Sequence, residues 1–159
     1  MSASRQKLPR LPPRWFIRAA WKVHRALYRF TGGRFGLWNP KPGGWGALQL
    51  TTTGRRSGES RSVMVGYFSD GPNLVTLAMN GWGAAEPAWW LNLSAHPAAS
   101  VVSRNWRGPV IGRAAVGEER DRLWAKWVAI DAELEGFAAL RPGPTSGVVL
   151  EPQVQVASR

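Results

Sequence analysis

The chain has 159 residues, a length that suits one domain with or without a flexible arm. Its 21 Lys and Arg against 10 Asp and Glu give a net charge of +11, and its 44% apolar residues are enough for one core. The lack of cysteine excludes disulfides, iron–sulfur clusters, thiolate zinc sites and cysteine nucleophiles. The two histidines, His24 and His96, lie far apart in sequence, so no metal site is predicted.

The positive charge is concentrated near the N-terminus. Residues 1–58 contain twelve basic residues and no acidic one, because the first acid is Glu59. The nine basic and ten acidic residues that follow nearly cancel. This asymmetry favours an acidic partner, which is nucleic acid, anionic lipid, or a phosphorylated or carboxylated small molecule.

The N-terminal sequence predicts a basic disordered arm over residues 1–12 and an amphipathic helix over residues 13–31. The helix has one narrow cationic side, and aromatic and aliphatic residues cover the rest. The pattern fits packing on the domain with a solvated basic edge, or attachment to an anionic membrane surface, or contact with nucleic acid. The residues that would face a membrane are Arg14, Trp15, Arg18, Trp21, Lys22, Arg25 and Arg29.

A linker rich in proline and glycine is predicted over residues 32–46, a domain over residues 47–152 and a tail over residues 153–159. Several short strands with few helices favour an antiparallel barrel or sandwich over alternating βαβ units. The predicted strands are residues 47–53, 61–68, 73–79, 99–106, 109–116 and 147–150, the predicted helices are residues 87–95 and 118–130, and hairpin turns are predicted at Asp70-Gly71 and Arg107-Gly108.

The segment Gly54-Arg55-Arg56-Ser57-Gly58, with Arg61 shortly after it, lies between two predicted strands. Arginine binds phosphate and carboxylate through two parallel hydrogen bonds, and glycines let backbone N–H groups approach an anion. The segment is therefore a candidate anion site, and the alternative is a solvated hairpin loop. The lysine and spacing of a Walker loop are missing.

Several spaced motifs resemble those of the deazaflavin-dependent nitroreductase family. They are residues 50–58 (LTTTGRRSG), Arg61, residues 80–81 (NG), residues 87–93 (PAWWLNL), residues 96–97 (HP) and residues 148–152 (VVLEP). The resemblance covers roughly residues 15–152, and the combination of motifs carries it.

The resemblance implies a mainly β protein, a six-stranded antiparallel split β-barrel of the FMN-binding type with flanking helices. It also implies coenzyme F420, a deazaflavin with a phosphate and an oligoglutamate tail, as the hydride donor. The acceptors of the family are quinones and, in some members, nitroimidazoles. Hydride transfer is the cofactor's chemistry, so no catalytic side chain is expected.

The matched motifs assign contacts residue by residue. The cofactor contacts implied are Arg55, Arg56, Ser57 and Arg61 for the phosphate and tail, and Val63, Met64, Met79, Asn80 and Trp89 near the ring. The acceptor pocket is expected to include Trp82 and Phe137. The pocket tyrosines of the nitro-reducing member have no match here, which favours a flat apolar quinone as the acceptor.

Two other functions stay open from the sequence. One is a split barrel that binds FMN instead of F420, and the other is a non-enzymatic barrel that binds nucleic acid through its tryptophans and arginines. The chain is expected to be a monomer or homodimer in the cytoplasm, attached peripherally to the inner face of the cell membrane if the N-terminal helix binds lipid.

Overall fold

The computed structural model describes residues 36–154 without a gap, and before them residues 13, 15, 16, 18–20, 22, 23 and 26. The strands are β1 (Gly46–Thr53), β2 (Ser60–Asp70), β3 (Asn73–Leu77), β4 (Ala98–Val102), β5 (Arg107–Ala114) and β6 (Gly147–Pro152). The helices are α1 (Ala88–Ala95), α2 (Gly117–Ile130) and α3 (Leu134–Ala139).

The six strands form a closed antiparallel barrel in the order β1-β2-β3-β6-β5-β4. Alternation along the strands decides which side chains fill it. In β1, Leu48 and Leu50 are fully buried, whereas Gln49 and Thr51, which alternate with them, are partly exposed. The inner side chains of β2, β4, β5 and β6 join these leucines in one core cluster. The predicted six-stranded split β-barrel is confirmed.

Strand β2 has an uneven set of neighbours. It pairs with β1 over eight residues, from Ser60 to Tyr67. Its ladder with β3 contains three pairs in the described chain, and the last of these joins Phe68 to Val75. The first eight residues of β2 therefore pair with a strand on one side only. Their other edge is unpaired and lies beside the residues that follow β3.

Helix α1 closes one end of the barrel. Its Trp89 and Leu93 are buried and belong to the barrel core. Leu93 lies so close to β5 that a Cβ on Gly112 would be 2.7 Å from Leu93 Cγ. Glycine at this position therefore lets the helix approach the strand.

Helix α2 packs on the outer face of the barrel. Leu123 and Trp127 pack there with Phe68 of β2 in a second core cluster. Ion pairs surround this contact. Asp70 accepts hydrogen bonds from Arg122 and Lys126 at 2.7–2.8 Å, and Arg113 of β5 bonds Glu119 and Glu151.

The structure differs from the sequence prediction in one turn and one helix. The turn predicted at Arg107-Gly108 is wrong, because both residues belong to β5 and the chain turns over residues 103–106. There the Ser103 hydroxyl accepts a hydrogen bond from the Trp106 N–H and donates one to the Trp106 carbonyl. Helix α3 was not predicted, because its six residues are too few for a visible helical period.

The described residues between 15 and 26 are helical and exposed. Trp15 and Phe16 stack edge to face with their ring centroids 6.0 Å apart. Of the predicted membrane-facing residues, Arg14, Trp21, Arg25 and Arg29 lie outside the described residues. No helix in the described chain is long and apolar enough to cross a membrane.

Candidate active site

The loop between β1 and β2 has a fixed shape. The Gly54 N–H donates to the Glu59 carbonyl at 2.7 Å, and the Gly58 N–H donates to the Gly54 carbonyl at 2.8 Å. Gly58 has φ +71, and no atom lies within 4 Å of where its Cβ would stand. This left-handed conformation favours glycine and leaves open space at the loop surface.

Helix α1 anchors this loop through Asn92. The Asn92 Oδ1 accepts two hydrogen bonds from Arg55, one from its backbone N–H at 3.1 Å and one from Nη1 at 3.2 Å. The Asn92 amide also donates to Thr52 Oγ1 in β1 at 3.4 Å. Asn92 is 5% exposed. A buried amide therefore sets the position of the first arginine of the loop.

The other two arginines of the loop region, Arg56 and Arg61, are exposed. Arg61 forms an ion pair with Glu59 at 3.0 Å, and both side chains are more than half exposed. Such a pair contributes little to stability, so an incoming anion competes with Glu59 at low cost. Arg55, Arg56 and Arg61 therefore form a cationic surface at one end of β2.

The open edge of β2 continues from this surface. Val63 packs against the inner core, so Met64, which is next to it in the strand, points to the outer face. Extending the β2–β3 register past Val75 would bring Met79 opposite Met64, but the ladder has ended there. Met79 and Asn80 are exposed where the chain leaves β3. This unpaired edge of β2, called the opening below, lies beside residues 78–80, and Met64 on its outer face is 6% exposed.

The loop after Asn80 carries Trp82, which packs against a second aromatic ring. The Gly83 N–H donates to the Asn80 carbonyl at 2.9 Å, which closes a tight turn. Trp82 has φ +58, the one positive φ among the described non-glycine residues. Its ring stacks on Phe137 of α3, with centroids 6.1 Å apart and planes 12° from parallel. The two predicted pocket residues are thus brought together.

The buried guanidinium of Arg141 donates hydrogen bonds to this loop. The Arg141 side chain is 2% exposed. It donates to the carbonyls of Gly83 and Ala78 at 3.0 and 3.2 Å, to Thr145 Oγ1 at 2.9 Å and to Glu86 Oε1 at 3.2 Å. Sequence reasoning missed Arg141, because nothing near it in the chain indicates partners that lie more than fifty residues away.

The structure divides the predicted cofactor contacts into three groups. Arg55, Arg56, Ser57 and Arg61 share one loop region, and Met64, Met79 and Asn80 border the opening. Val63 and Trp89 pack into the barrel core instead, and Trp89 is 7% exposed. The role of Asn92 was also missed, although it lies in a motif used for recognition.

These features fit a cofactor with a flat ring and an anionic tail. The arginine loop supplies cations and an open glycine surface for phosphate and carboxylate groups. Beside the unpaired edge of β2, the exposed Met79 supplies an apolar contact for a ring. When bound, reduced F420 supplies a hydride. No cluster of His, Asp and Glu able to hold a metal ion occurs in the described part of the chain.

Comparison with known proteins identifies the family. The family model described as F420H(2)-dependent quinone reductase matches residues 20–142. A Mycobacterium tuberculosis protein named F420H(2)-dependent quinone reductase is 31% identical over 105 residues, which are 65% of this chain and 69% of that protein.

Solved structures agree on the fold. An F420-H2 dependent reductase superimposes with a TM-score of 0.60 at 24% identity, covering 66% of this chain and 93% of that one. A chain described as a domain-swapped dimer gives a TM-score of 0.64 at 24% identity, covering 88% of this chain and all of that one.

The family match spans the arginine loop, the opening beside β2 and the Trp82–Phe137 stack. It confirms the resemblance found in the motifs, the prediction of an oxidoreductase and the prediction of F420 as its cofactor. The family is described by quinones rather than by nitro compounds. The chain belongs to the F420H(2)-dependent quinone reductase family.

Proposed function

We propose that the protein transfers a hydride from reduced F420 to a flat, apolar quinone. The observation that carries the proposal is the arginine loop placed at one end of an open strand edge that is bordered by methionines. A molecule with an anionic tail and an apolar ring needs cations for the tail and an apolar surface for the ring, close to each other. The family membership supplies the identity of that molecule.

We assign the tail to Arg55, Arg56, Ser57 and Arg61. Charge-assisted hydrogen bonds from guanidinium groups are the strong ones, and the loop is pre-ordered by its backbone bonds and by Asn92. Arg56 is exposed and forms no hydrogen bond or ion pair in the described structure. Its side chain can therefore turn to an anion without breaking one. Binding therefore requires little reorganisation of the loop.

We assign the ring to the unpaired edge of β2 beside Met79 and Asn80, which are exposed, whereas Met64 in β2 is 6% exposed. Methionine is polarizable and adapts its shape, so it suits a planar ring. Val63 and Trp89 support the strand and the helix from the core side. The protein's own contribution to the reaction is the orientation of donor and acceptor, since no side chain has to form a covalent bond.

We assign the acceptor to the side of the opening where Trp82 stacks on Phe137. A stacked aromatic pair favours flat apolar partners through stacking and dispersion. No tyrosine lies in residues 129–144 to offer a hydroxyl to a nitro group. Quinones are therefore the proposed acceptors, and nitroimidazoles are expected to react slowly.

The test is a direct assay of the purified protein. Reduced F420 is mixed with a soluble menaquinone analogue, and the recovery of the oxidised deazaflavin absorbance is followed. Reduced FMN and a nitroimidazole serve as matched alternatives for the donor and the acceptor. Turnover with reduced F420 and quinone supports the proposal. Turnover with reduced FMN but not with reduced F420 would contradict it.

We also propose that the N-terminal segment attaches the protein to an anionic membrane surface. Described residues of this segment are helical and present both cations, Arg18 and Lys22, and exposed aromatic rings, Trp15 and Phe16. A basic helix with exposed aromatic residues binds at the lipid interface. A quinone acceptor dissolved in the bilayer would then be close to the enzyme.

A further inference from the structure

Arg141 is the most completely bonded charged side chain of the site region. Its guanidinium is almost fully buried, and its four acceptors come from the end of β3, from the loop after Asn80 and from Thr145. Two of these acceptors, the carbonyls of Ala78 and Gly83, flank the segment that carries Asn80 and Trp82. One guanidinium therefore fixes both ends of the four-residue segment 79–82.

The backbone conformation of this segment has to be stabilised by contacts from outside it. Trp82 has φ +58, and a non-glycine residue in the left-handed region is strained. Such a conformation persists where surrounding contacts determine it. The stacking of Trp82 on Phe137 fixes the ring, and Arg141 fixes the backbone on the C-terminal side of Trp82 through the Gly83 carbonyl.

Glu86 completes the arrangement at the far end of the loop. Its Oε1 accepts from Arg141 Nη2 at 3.2 Å, which balances the buried charge. Its Oε2 is buried without a hydrogen-bond partner in the described structure. The Glu86 side chain is 37% exposed although this oxygen is covered, and the ion pair ties the start of α1 to the segment after α3.

We propose that Arg141 is the positioning residue of the acceptor site: by holding residues 78–86 it keeps Trp82 stacked on Phe137 and so sets the preference for flat acceptors. The proposal rests on the proposed function for the identity of the acceptor. Arg141 itself acts through the loop and need not touch the substrate.

The main test variant is Arg141→Lys. Lysine keeps the charge but has no planar fork, so it cannot serve carbonyls, a hydroxyl and a carboxylate in four directions at once. Arg122→Lys is the matched control. Arg122 also makes a forked ion pair, with Asp70, but it lies at the opposite end of β3 from Ala78. Glu86→Gln is the second variant, and it keeps an oxygen acceptor while removing the negative charge.

The first readout uses the protein without cofactor or substrate. Tryptophan is replaced throughout by fluorotryptophan, and the Trp82 signal in the fluorine NMR spectrum is assigned by its loss in Trp82→Phe. We expect Arg141→Lys to shift or broaden this signal, Glu86→Gln to change it in the same sense, and Arg122→Lys to leave it unchanged. A folded Arg141→Lys protein with an unaltered Trp82 signal would overturn the proposal.

The second readout is steady-state kinetics with reduced F420 and a menaquinone analogue. We expect Arg141→Lys to raise the KM for the quinone about tenfold, and to raise the Kd for F420 by a smaller factor because Met79 and Asn80 belong to the same held segment. A purely structural role would lower the fraction of folded enzyme and leave the KM unchanged. If Arg141→Lys does not fold, the fluorine signal and the KM of Glu86→Gln decide the question in the same way.

The two proposals fail separately. If the wild-type protein turns over no quinone, the proposed function is wrong, but the Trp82 signal still shows whether Arg141 orders the loop. If the wild type turns over quinone and both Arg141→Lys and Glu86→Gln keep the Trp82 signal and the KM, Arg141 has no positioning role.

Discussion

Asn92 Oδ1 accepts hydrogen bonds from both the backbone N–H and the guanidinium of Arg55, across thirty-seven residues of sequence. The helix that closes the barrel and the loop proposed to bind the cofactor tail are therefore connected by one buried side chain. Asn92 also binds Thr52 at the end of β1. A disturbance of α1 is consequently expected to reach the arginine loop.

Replacing this amide tests the connection. We expect Asn92→Ala to weaken F420 binding about three- to tenfold, because the loop loses its pre-ordered position. It should also reduce the free energy of unfolding by about 1–3 kcal/mol, since Thr52 is left without its buried partner. Fluorescence titration and urea unfolding measure the two effects. Asn105→Ala, at an exposed asparagine in the turn between β4 and β5, is the control.

The double variant Arg55→Ala, Arg56→Ala tests the anion site itself. Contacts to charged groups contribute about 1.5–3 kcal/mol each, so the affinity for F420 should fall at least about tenfold. Wild-type binding should weaken with added salt, and the double variant should respond less. The matched control is Arg104→Ala, Arg107→Ala, at the opposite end of the barrel. Equal affinities for the two double variants would remove the loop from the site.

Gly112→Ala tests the packing of α1 against β5. The new methyl group would overlap Leu93, which is fully buried. Overpacking of this kind costs about 1–3 kcal/mol, and the thermal midpoint should fall accordingly. Gly143→Ala is the control, because no atom lies within 4 Å of its added Cβ. A similar loss in both variants would show that the contact with Leu93 is not the cause.

Asp70 should make stability depend on pH. Hydrogen bonds from Arg122, then from Lys126, hold the pKa of its carboxyl well below the usual range. A carboxyl whose pKa is lowered by folding stabilises the protein above its unfolded pKa of about 4, and this contribution is lost as the pH falls below that value.

We therefore expect Asp70→Asn to lower the thermal midpoint by a few degrees at neutral pH, with the difference from wild type narrowing in acid. Calorimetry over a pH series measures it. Asp121→Asn, at an exposed carboxyl 3.7 Å from Arg120, should show little difference at any pH. A difference between Asp70→Asn and wild type that stays constant from neutral to acid pH would contradict the assignment.

Removal of residues 1–30 should abolish co-sedimentation with anionic vesicles. Each basic residue near such a surface contributes about 1 kcal/mol, so the milder variant Arg18→Glu, Lys22→Glu should weaken binding strongly. Neutral vesicles are the control, and added salt should release the wild-type protein. If the intact protein binds neither vesicle type, the segment has no role at the membrane.

Several short strands with few helices predicted an antiparallel barrel or sandwich, and the family resemblance supplied the six-stranded split barrel. Leu48 and Leu50 inside, with Gln49 and Thr51 outside, give a period of two that the sequence displays directly. The arginine loop was also visible, since its glycines and arginines are contiguous. The turn before β5 was misplaced because Arg107-Gly108 resembles a turn dipeptide, whereas Ser103 stabilises the real turn through its side chain.

Other parts of the site could not be predicted, because they depend on distant partners. Adjacent strand residues face opposite sides, so Val63 and Met64 cannot both border one ring, but the sequence alone does not say which one faces the core. The position of Arg141 depends on the backbone carbonyls of residues 78 and 83. Every residue has a carbonyl, so the sequence does not indicate which ones accept these hydrogen bonds. The burial of Arg141 could therefore be recognised only from the structure.

The pairing of β6 between β3 and β5 has a consequence for how the chain folds. β1, β2 and β3 form from neighbouring segments, but β3 must wait for β6, as Leu74 pairs with Leu150. Closing such a long loop costs entropy before its contacts form, so the last strand should dock slowly. Until then β3 and β5 keep open edges that other chains can extend. Aggregation during refolding should therefore compete with the arrival of this one strand, and low protein concentration should favour the native barrel.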